Sequence, residues 1–157
     1  MALEKKIREL KEKREKMLLG GGEEAIVKQK AMGKNAGRER IMAILDPGTF
    51  NEYDMFVEHD ARDFGMDKKN LPSDGVVIGS GTVHGNPVAI FAQDFTVAGG
   101  SLGLMHSRKI TKIMDHALQM RIPLIGINDS GGARIQEEVN SLADYGGILF
   151  RGKKSTG

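Results

Sequence analysis

The chain has 157 residues, of which 28% are charged and 39% hydrophobic, a composition typical of a globular domain with its own core. Its 23 Lys and Arg residues nearly balance 21 Asp and Glu residues, and aromatic residues make up only 5%, so no nucleic-acid partner is expected. The absence of Cys excludes disulfides, a thiol nucleophile and a Cys-ligated metal. Neither a signal-peptide pattern nor an apolar run of the roughly 18 residues that span a membrane occurs, so we expect a cytoplasmic protein without a membrane span.

The first 48 residues predict an N-terminal helical arm. Residues 2–19 form a charged amphipathic pattern that three glycines end, residues 23–32 predict a second helix, and a third ends at the Asp-Pro-Gly of residues 46–48. Lys34, Arg38 and Arg40 form a basic cluster beside glycines at the start of the third helix. This cluster is typical either of a solvated helix start or of contact with a phosphate-bearing ligand.

A strand or extended segment is predicted over residues 50–57, followed by a polar surface loop over residues 58–73. His59, Asp60 and Asp63 in this loop lack the partners of a metal site, so we expect no metal in this chain. Residues 74–83 and 88–92 flank the turn Gly85-Asn86-Pro87 and predict a β-hairpin. Because a hairpin follows Gly79-Ser80-Gly81, a dinucleotide-binding fingerprint is excluded.

Two glycine-rich turns each follow an apolar strand. The first covers residues 94–103, with Ser101 predicted to cap a helix over residues 103–120, in which His106 is better explained as a packing or surface residue than as a catalytic base. The second follows a strand over residues 122–127 and passes Gly131 and Gly132 into a helix. Strand, helix and strand predict a right-handed parallel crossover, which brings both turns to one region of the sheet.

Gly131 and Gly132 have no Cβ, so their amides are open to close approach by a ligand carbonyl. At the start of a helix such N–H groups have no partner within the helix, and they stabilise a carbonyl oxygen that gains negative charge during a reaction. The alternative is a tight turn that uses glycine only for its backbone dihedrals. Residues 141–150 then predict another helix, and the chain stops where an α/β repeat would supply its next strand, so we expect a fragment.

With both turns in place, the sequence resembles the N-terminal half of the carboxyltransferase subunit of biotin-dependent acyl-CoA carboxylases, of the propionyl-CoA carboxylase beta-chain type. The alpha subunits of methylmalonyl-CoA and glutaconyl-CoA decarboxylases share the pattern. Five motifs carry the resemblance in the family's order: Gly37-Arg38-Glu39-Arg40, Leu45-Asp46-Pro47-Gly48-Thr49-Phe50, Asp74-Gly75-Val76-Val77, residues 94–103, and residues 128–137 with the sequence NDSGGARIQE. Glu138, where a glycine is expected, and the run of residues 146–149 depart from it.

The resemblance implies an α/β crotonase-like fold, a superhelix of β-β-α units, of which residues 49–157 are the first part after the helical arm of residues 1–48. It also implies that CO2 moves from carboxybiotin to the α-carbon of a short acyl-CoA such as propionyl-CoA. Gly131 and Gly132 then match the backbone donors to the enolate oxygen. The substrate-binding positions expected are Gly99, Gly100, Ser101, Ala133, Lys34, Arg38 and Arg40.

The same resemblance implies a cofactor, biotin, carried on a separate protein or domain. The expected partners are a biotin carboxyl carrier protein or a biotin carboxylase subunit, together with further copies of the complete subunit in a homo-oligomer, a hexamer. A decarboxylase alpha subunit with the same fold, and a non-catalytic assembly fragment, remain as alternatives.

Overall fold

The computed structural model describes the backbone of residues 2–155 and the side chains of residues 3–137, 139, 141, 142 and 145–153. Its centre is a four-stranded sheet in the order β1-β2-β3-β4, with β1 at Asn51–Tyr53, β2 at Val76–Val83, β3 at Asn86–Gln93 and β4 at Leu124–Ile127. The first two pairings are antiparallel, whereas β3 and β4 run parallel. The predicted hairpin and the parallel pairing after the crossover are therefore both present.

Five helices surround the sheet in the described part of the chain: α1 at Ala2–Leu18, α2 at Glu23–Ala31, α3 at Gly37–Ile44, α4 at Leu104–Met120 and α5 at Glu138–Ser155. None of the helices that the structure describes is both long and apolar enough to cross a membrane. The order β2-β3-α4 forms one β-β-α unit, and β4 begins after it. The side chain of Glu138, which departs from the family pattern, lies outside the described residues.

The two faces of the sheet bury different helices, because successive side chains of a strand point to opposite faces. Val76 and Ile78 of β2 pack in one cluster with α4, whereas Val77 packs with Ile41 of α3 on the opposite face. The side chains of Ile41 and Ile78 are fully buried, and burying each such side chain stabilises the fold by about 1.5–3 kcal/mol. The helix α3 is therefore part of the core, although the division of the chain at residue 48 stays a prediction.

The hairpin turn between β2 and β3 is tighter than predicted. It consists of His84 and Gly85, which both have positive φ, 50° and 77°, as in the two-residue turns that match the twist of a hairpin. Asp46 holds this turn: its carboxylate accepts hydrogen bonds from the N–H groups of His84 and Gly85 and from the hydroxyl of Thr82. Asp46, which lies just after the end of α3, thus also fixes the register of the hairpin.

The prediction that a helix begins directly after Gly132 is wrong. A 3-10 turn covers Ile135–Glu137, and α5 begins only at Glu138. The reason is a parallel bridge between Leu102 and Ala133, which holds this segment extended against the first glycine turn. Its backbone groups are committed to a partner that is distant in sequence, so they cannot enter a helix.

Candidate functional site

Two turns meet at the end of the parallel strand pair. The first turn, residues 94–103, follows β3, and the second turn, residues 128–134, follows β4. Three backbone hydrogen bonds join them: Gly131 N–H to the Gly99 carbonyl, Leu102 N–H to the Gly132 carbonyl, and Arg134 N–H to the Leu102 carbonyl, each 2.9 Å. Because the carboxyl ends of neighbouring parallel strands lie at the same edge of a sheet, ligands of open α/β sheets commonly bind at such places.

Gly100 shows how closely the two turns approach. A Cβ atom at this residue would overlap the carbonyl oxygen of Asp129, and its φ of 61° is one that residues with a side chain rarely adopt. Glycine is therefore required at position 100 to bring the turns together. This gives Gly100 a packing role, whereas the sequence predicted only that it contributes to the substrate site.

The structure corrects the expected pair of amide donors. The N–H of Gly131 is spent on the Gly99 carbonyl, so it is not available to a ligand. The N–H of Gly132 donates to the exposed Ser130 hydroxyl, at 3.1 Å, a contact that rotation of the Ser130 side chain about its Cα–Cβ bond can release. In the described part of the chain the N–H of Ala133 has no acceptor, because its neighbours carry the bonds of the bridge to Leu102. Gly132 and Ala133 therefore supply the available donors.

Space is open beside Gly132. Its φ is 113°, and no heavy atom lies within 4 Å of a Cβ built on it. A ligand can approach the backbone at Gly132 without displacing protein atoms. A β-branched side chain at this residue would fill that space and would also be strained by the positive φ.

Ser101 does not cap α4, contrary to the prediction. Gly103 occupies the N-cap position, and the Leu104 N–H donates instead to the carboxylate of Glu137, at 2.6 Å. Ser101 is held by Arg134, whose guanidinium donates to both its hydroxyl (3.2 Å) and its carbonyl (2.9 Å). The first turn is therefore positioned by a side chain from the second.

Arg134 forms a buried ion cluster that sequence reasoning missed. Its side chain is 2% exposed and pairs with two carboxylates, those of Asp74 at 2.5 Å (0% exposed) and Glu137 at 2.7 Å (3% exposed). Burial raises the pKa of the Asp74 carboxyl, and the charge of Arg134 opposes that increase. Arg134 and Asp74 both lie within the family motifs, and this was the one signal in the sequence that pointed to them.

The basic cluster divides between two places. Lys34 and Arg40 both reach the Asp129 carboxylate in the second turn, at 3.1 and 2.7 Å, with their side chains 50% and 20% exposed. Burial acts to raise the pKa of Asp129, but the hydrogen bonds from Lys34 and Arg40 outweigh it and hold this pKa below its ordinary value. These two cations therefore border the site.

Arg38 does not lie with Lys34 and Arg40 beside the second turn, and its assignment to the substrate site stays a prediction without support from this placement. It pairs with both oxygens of Glu52, at 2.6 and 2.9 Å, and donates to the Met17 carbonyl, with a side chain only 13% exposed. Residues two apart on a helix point about 200° apart, which separates Arg38 from Arg40. Arg38 joins α1, α3 and β1.

Two titratable side chains of α4 are buried behind the turns. His106 is fully buried and burial lowers its pKa to about 3, so the ring is neutral; it packs in the interior, as the preferred sequence interpretation predicts. Burial lowers the pKa of Lys109 to about 8, and its ammonium donates to the carbonyls of Ser73 and Val76. Both groups are enclosed by protein, so neither offers a general base to a ligand.

Relatives of this chain are carboxyltransferases and decarboxylases. It is 54% identical over 147 residues to the methylmalonyl-CoA decarboxylase subunit alpha of Propionigenium modestum, which covers 94% of this chain and 28% of that protein. It is 53% identical over 150 residues to the mitochondrial propionyl-CoA carboxylase beta chain of Homo sapiens, again covering 94% of this chain and 28% of that protein. The chain thus spans less than a third of the length of these relatives.

Solved structures show the same architecture. Transcarboxylase 12S, described as a hexamer with methylmalonyl-coenzyme A bound, matches with a TM-score of 0.91 and 46% identity over 92% of this chain and 28% of that chain. A single-chain, multi-domain long-chain acyl-CoA carboxylase matches with a TM-score of 0.73 and 27% identity, over 82% of this chain and 14% of that chain. The α/β crotonase-like fold is thereby confirmed. The carboxyl transferase domain family matches residues 28–157, and this chain belongs to it.

Proposed function

We propose that this chain is the acyl-CoA-binding part of a biotin-dependent carboxyltransferase, which moves CO2 from carboxybiotin to the α-carbon of a short acyl-CoA such as propionyl-CoA. The observation that carries the proposal is the unpaired amide of Ala133, next to the Gly132 amide that bonds only to the exposed Ser130 hydroxyl, beside open space at the end of β3 and β4. Membership of the carboxyl transferase domain family supports it.

The amides of Gly132 and Ala133 bind the thioester carbonyl oxygen in this proposal. When the α-carbon loses its proton, negative charge moves to that oxygen, and donors already aimed at it stabilise the enolate without reorganisation. In the first turn, the Gly99 carbonyl accepts from the Gly131 N–H, Gly100 allows the close approach of the two turns, and Ser101 is held by the guanidinium of Arg134. Carboxybiotin supplies the CO2 when it is bound. His106 is not assigned as the base, because both of its ring nitrogens are hydrogen-bonded within the protein interior.

Lys34 and Arg40 are proposed to bind the phosphates of CoA. Lys34 is half exposed and also lies over the ring of Phe95, with its ammonium 5.6 Å from the ring centre. Asp129 neutralises part of their charge in the free protein, so a phosphate competes with this carboxylate for the two cations. The expected effect of losing Lys34 is a higher KM for acyl-CoA with little change in kcat.

The proposed partners are a biotin carboxyl carrier protein or a biotin carboxylase subunit, and further copies of the complete subunit. The hexamer described for transcarboxylase 12S supports the homo-oligomer. A location in the cytoplasm is part of the same proposal.

The decisive experiment compares Ala133→Pro with Ala133→Ser in the complete natural subunit. Proline removes the N–H of residue 133, whereas serine retains it and adds one oxygen. Removing one such donor costs about 10²- to 10³-fold in kcat, so the proline variant should lose that much carboxyl transfer and the serine variant should stay within severalfold of wild type. If the two variants had equal thermal midpoints and comparable turnover, the N–H of Ala133 would be excluded as a donor to the thioester oxygen.

The second candidate is the alpha subunit of a biotin-dependent acyl-CoA decarboxylase, which the 54% identity to the Propionigenium modestum protein supports as strongly as the carboxylase relatives support the first. Co-purification with membrane decarboxylase subunits distinguishes it from a carboxylase. Wild-type protein that binds no acyl-CoA would instead support the non-catalytic assembly fragment.

A further inference from the structure

A buried line of hydrogen bonds runs from the second turn to the residues before β2. The Asp129 N–H lies 3.1 Å from Oε1 of Gln93, the last residue of β3. Nε2 of Gln93 is 3.1 Å from Nε2 of His106, and Nδ1 of His106 is 2.8 Å from the Asp74 carbonyl oxygen. Gln93, His106 and Asp74 are all buried.

The direction of every bond in this line is forced. The Asp74 carbonyl only accepts, so Nδ1 of His106 carries the proton and donates. The neutral ring then has an acceptor at Nε2, which matches the NH2 group of Gln93. The oxygen of the same amide is thereby turned toward the Asp129 N–H, which can only donate. No other arrangement of these protons satisfies all four groups.

We propose that Gln93 is a positioning residue for the acyl-CoA site, fixing the second turn through the Asp129 N–H while His106 fixes the orientation of the Gln93 amide. This inference rests on the proposed function, because it assigns Gln93 a part in that reaction. Asp129 immediately precedes the residues that lead to Gly132 and Ala133, and its carboxylate holds Lys34 and Arg40. A single buried amide therefore orients both the donor turn and the pair of cations.

Gln93→Leu in the complete natural subunit tests this inference, with Gln119→Leu on the exposed surface of α4 as the matched control. Leucine retains the approximate size of the side chain but neither accepts from Asp129 nor donates to His106. We expect hydrogen exchange at the Asp129 amide to accelerate at least tenfold and kcat/KM to fall about tenfold. The Gly131 amide, bonded to Gly99, is the reference within the same peptide and should retain its protection.

Gln93→Glu provides a readout that a purely structural role would not change. A carboxylate accepts from Asp129 but has no proton to donate to His106, so the line is restored only when the pair takes up one proton, on the new carboxyl group or on Nε2 of His106. The charges of Arg134 and Lys109 act on His106, together with the hydrogen bond to the Asp74 carbonyl, and the variant adds the new carboxylate to them. We expect the activity of this variant, relative to wild type, to be severalfold higher at pH 6 than at pH 8.

Unchanged exchange at Asp129 in Gln93→Leu, or wild-type kcat/KM in that variant, would overturn the positioning role. An activity ratio for Gln93→Glu that is the same at pH 6 and pH 8 would do so as well. Failure of the proposed function would give a different result, because wild-type protein would then bind no acyl-CoA. In that case the Asp129 exchange rates would still show whether Gln93 holds the turn.

Discussion

Replacement of Arg134 by methionine is expected to be the most destabilising single change at this site. Methionine is similar in length but removes four hydrogen bonds: one to Asp74, one to Glu137 and two to Ser101. It also leaves two buried carboxylates facing one another without a cation. Breaking a buried ion pair by removing one partner costs about 3–5 kcal/mol of the free energy of unfolding, because a charge stays buried and uncompensated.

The stability that Arg134→Met loses should depend on pH, and the direction of this dependence follows from the pKa of Asp74. Burial raises the pKa of Asp74 even in the presence of Arg134, and loss of the guanidinium raises it further. A group whose pKa is higher in the folded than in the unfolded protein takes up a proton on folding. Its contribution to the free energy of unfolding is therefore complete at low pH and is lost as pH rises through the folded pKa. The Met variant should therefore lose less stability at pH 5 than at pH 7.5.

Urea unfolding followed by circular dichroism measures both effects. With a denaturant slope of about 2 kcal/mol per M, the expected loss lowers the urea midpoint by about 1.5–2.5 M at pH 7.5. Asp74→Asn combined with Arg134→Met should recover part of that loss, since one carboxylate is gone. Arg151→Met is the control, because Arg151 pairs with Asp115 at a partly exposed position near the surface, where such pairs contribute only about 0–1 kcal/mol. A loss below about 1 kcal/mol for Arg134→Met, or equal losses at the two pH values, would refute the reasoning.

Three further results are expected. Hydrogen bonds from Thr82 and, to a smaller extent, from Gly85 lower the pKa of Asp46. The stabilisation of the hairpin turn by Asp46 is therefore complete above the unfolded pKa and is lost as pH falls through the lower folded pKa. The difference in urea midpoint between wild type and Asp46→Asn should accordingly become smaller in acid. Burial lowers the pKa of Lys109 from 10.5 to about 8, so the stability of the wild type should rise between these pH values, and Lys109→Met should abolish the rise in unfolding experiments from pH 7 to 10.5. The 157-residue chain alone should transfer no carboxyl group from carboxybiotin to propionyl-CoA in a radiolabel assay, because its relatives are more than three times longer, and measurable transfer would contradict this expectation.

Local sequence patterns were sufficient to predict the main elements of the fold. The hairpin, the helix α4 and the strand β4 follow from apolar periodicity and from glycine and proline at the boundaries, since each depends on residues that are close in the chain. The expected burial of β4 on both faces is wrong, because β4 lies at the edge of the sheet and its residues are partly exposed. The two glycine turns were predicted in the same way, whereas the family was identified from the resemblance of five motifs to those of known carboxyltransferases. Lys34 and Arg40 lie beside the second turn, and their assignment to the substrate site stays a prediction.

The direction of each polar group was decided only by the tertiary structure. The sequence marks Gly131 as a residue without a Cβ atom, but the Gly99 carbonyl, 32 residues earlier in the chain, uses its N–H and leaves Ala133 as a donor. Arg38 likewise carries the positive charge that a phosphate ligand requires, yet Glu52 neutralises this charge on the far side of α3. Composition and spacing determine which groups exist, whereas their availability to a ligand depends on hydrogen-bond partners that only folding brings within about 3 Å.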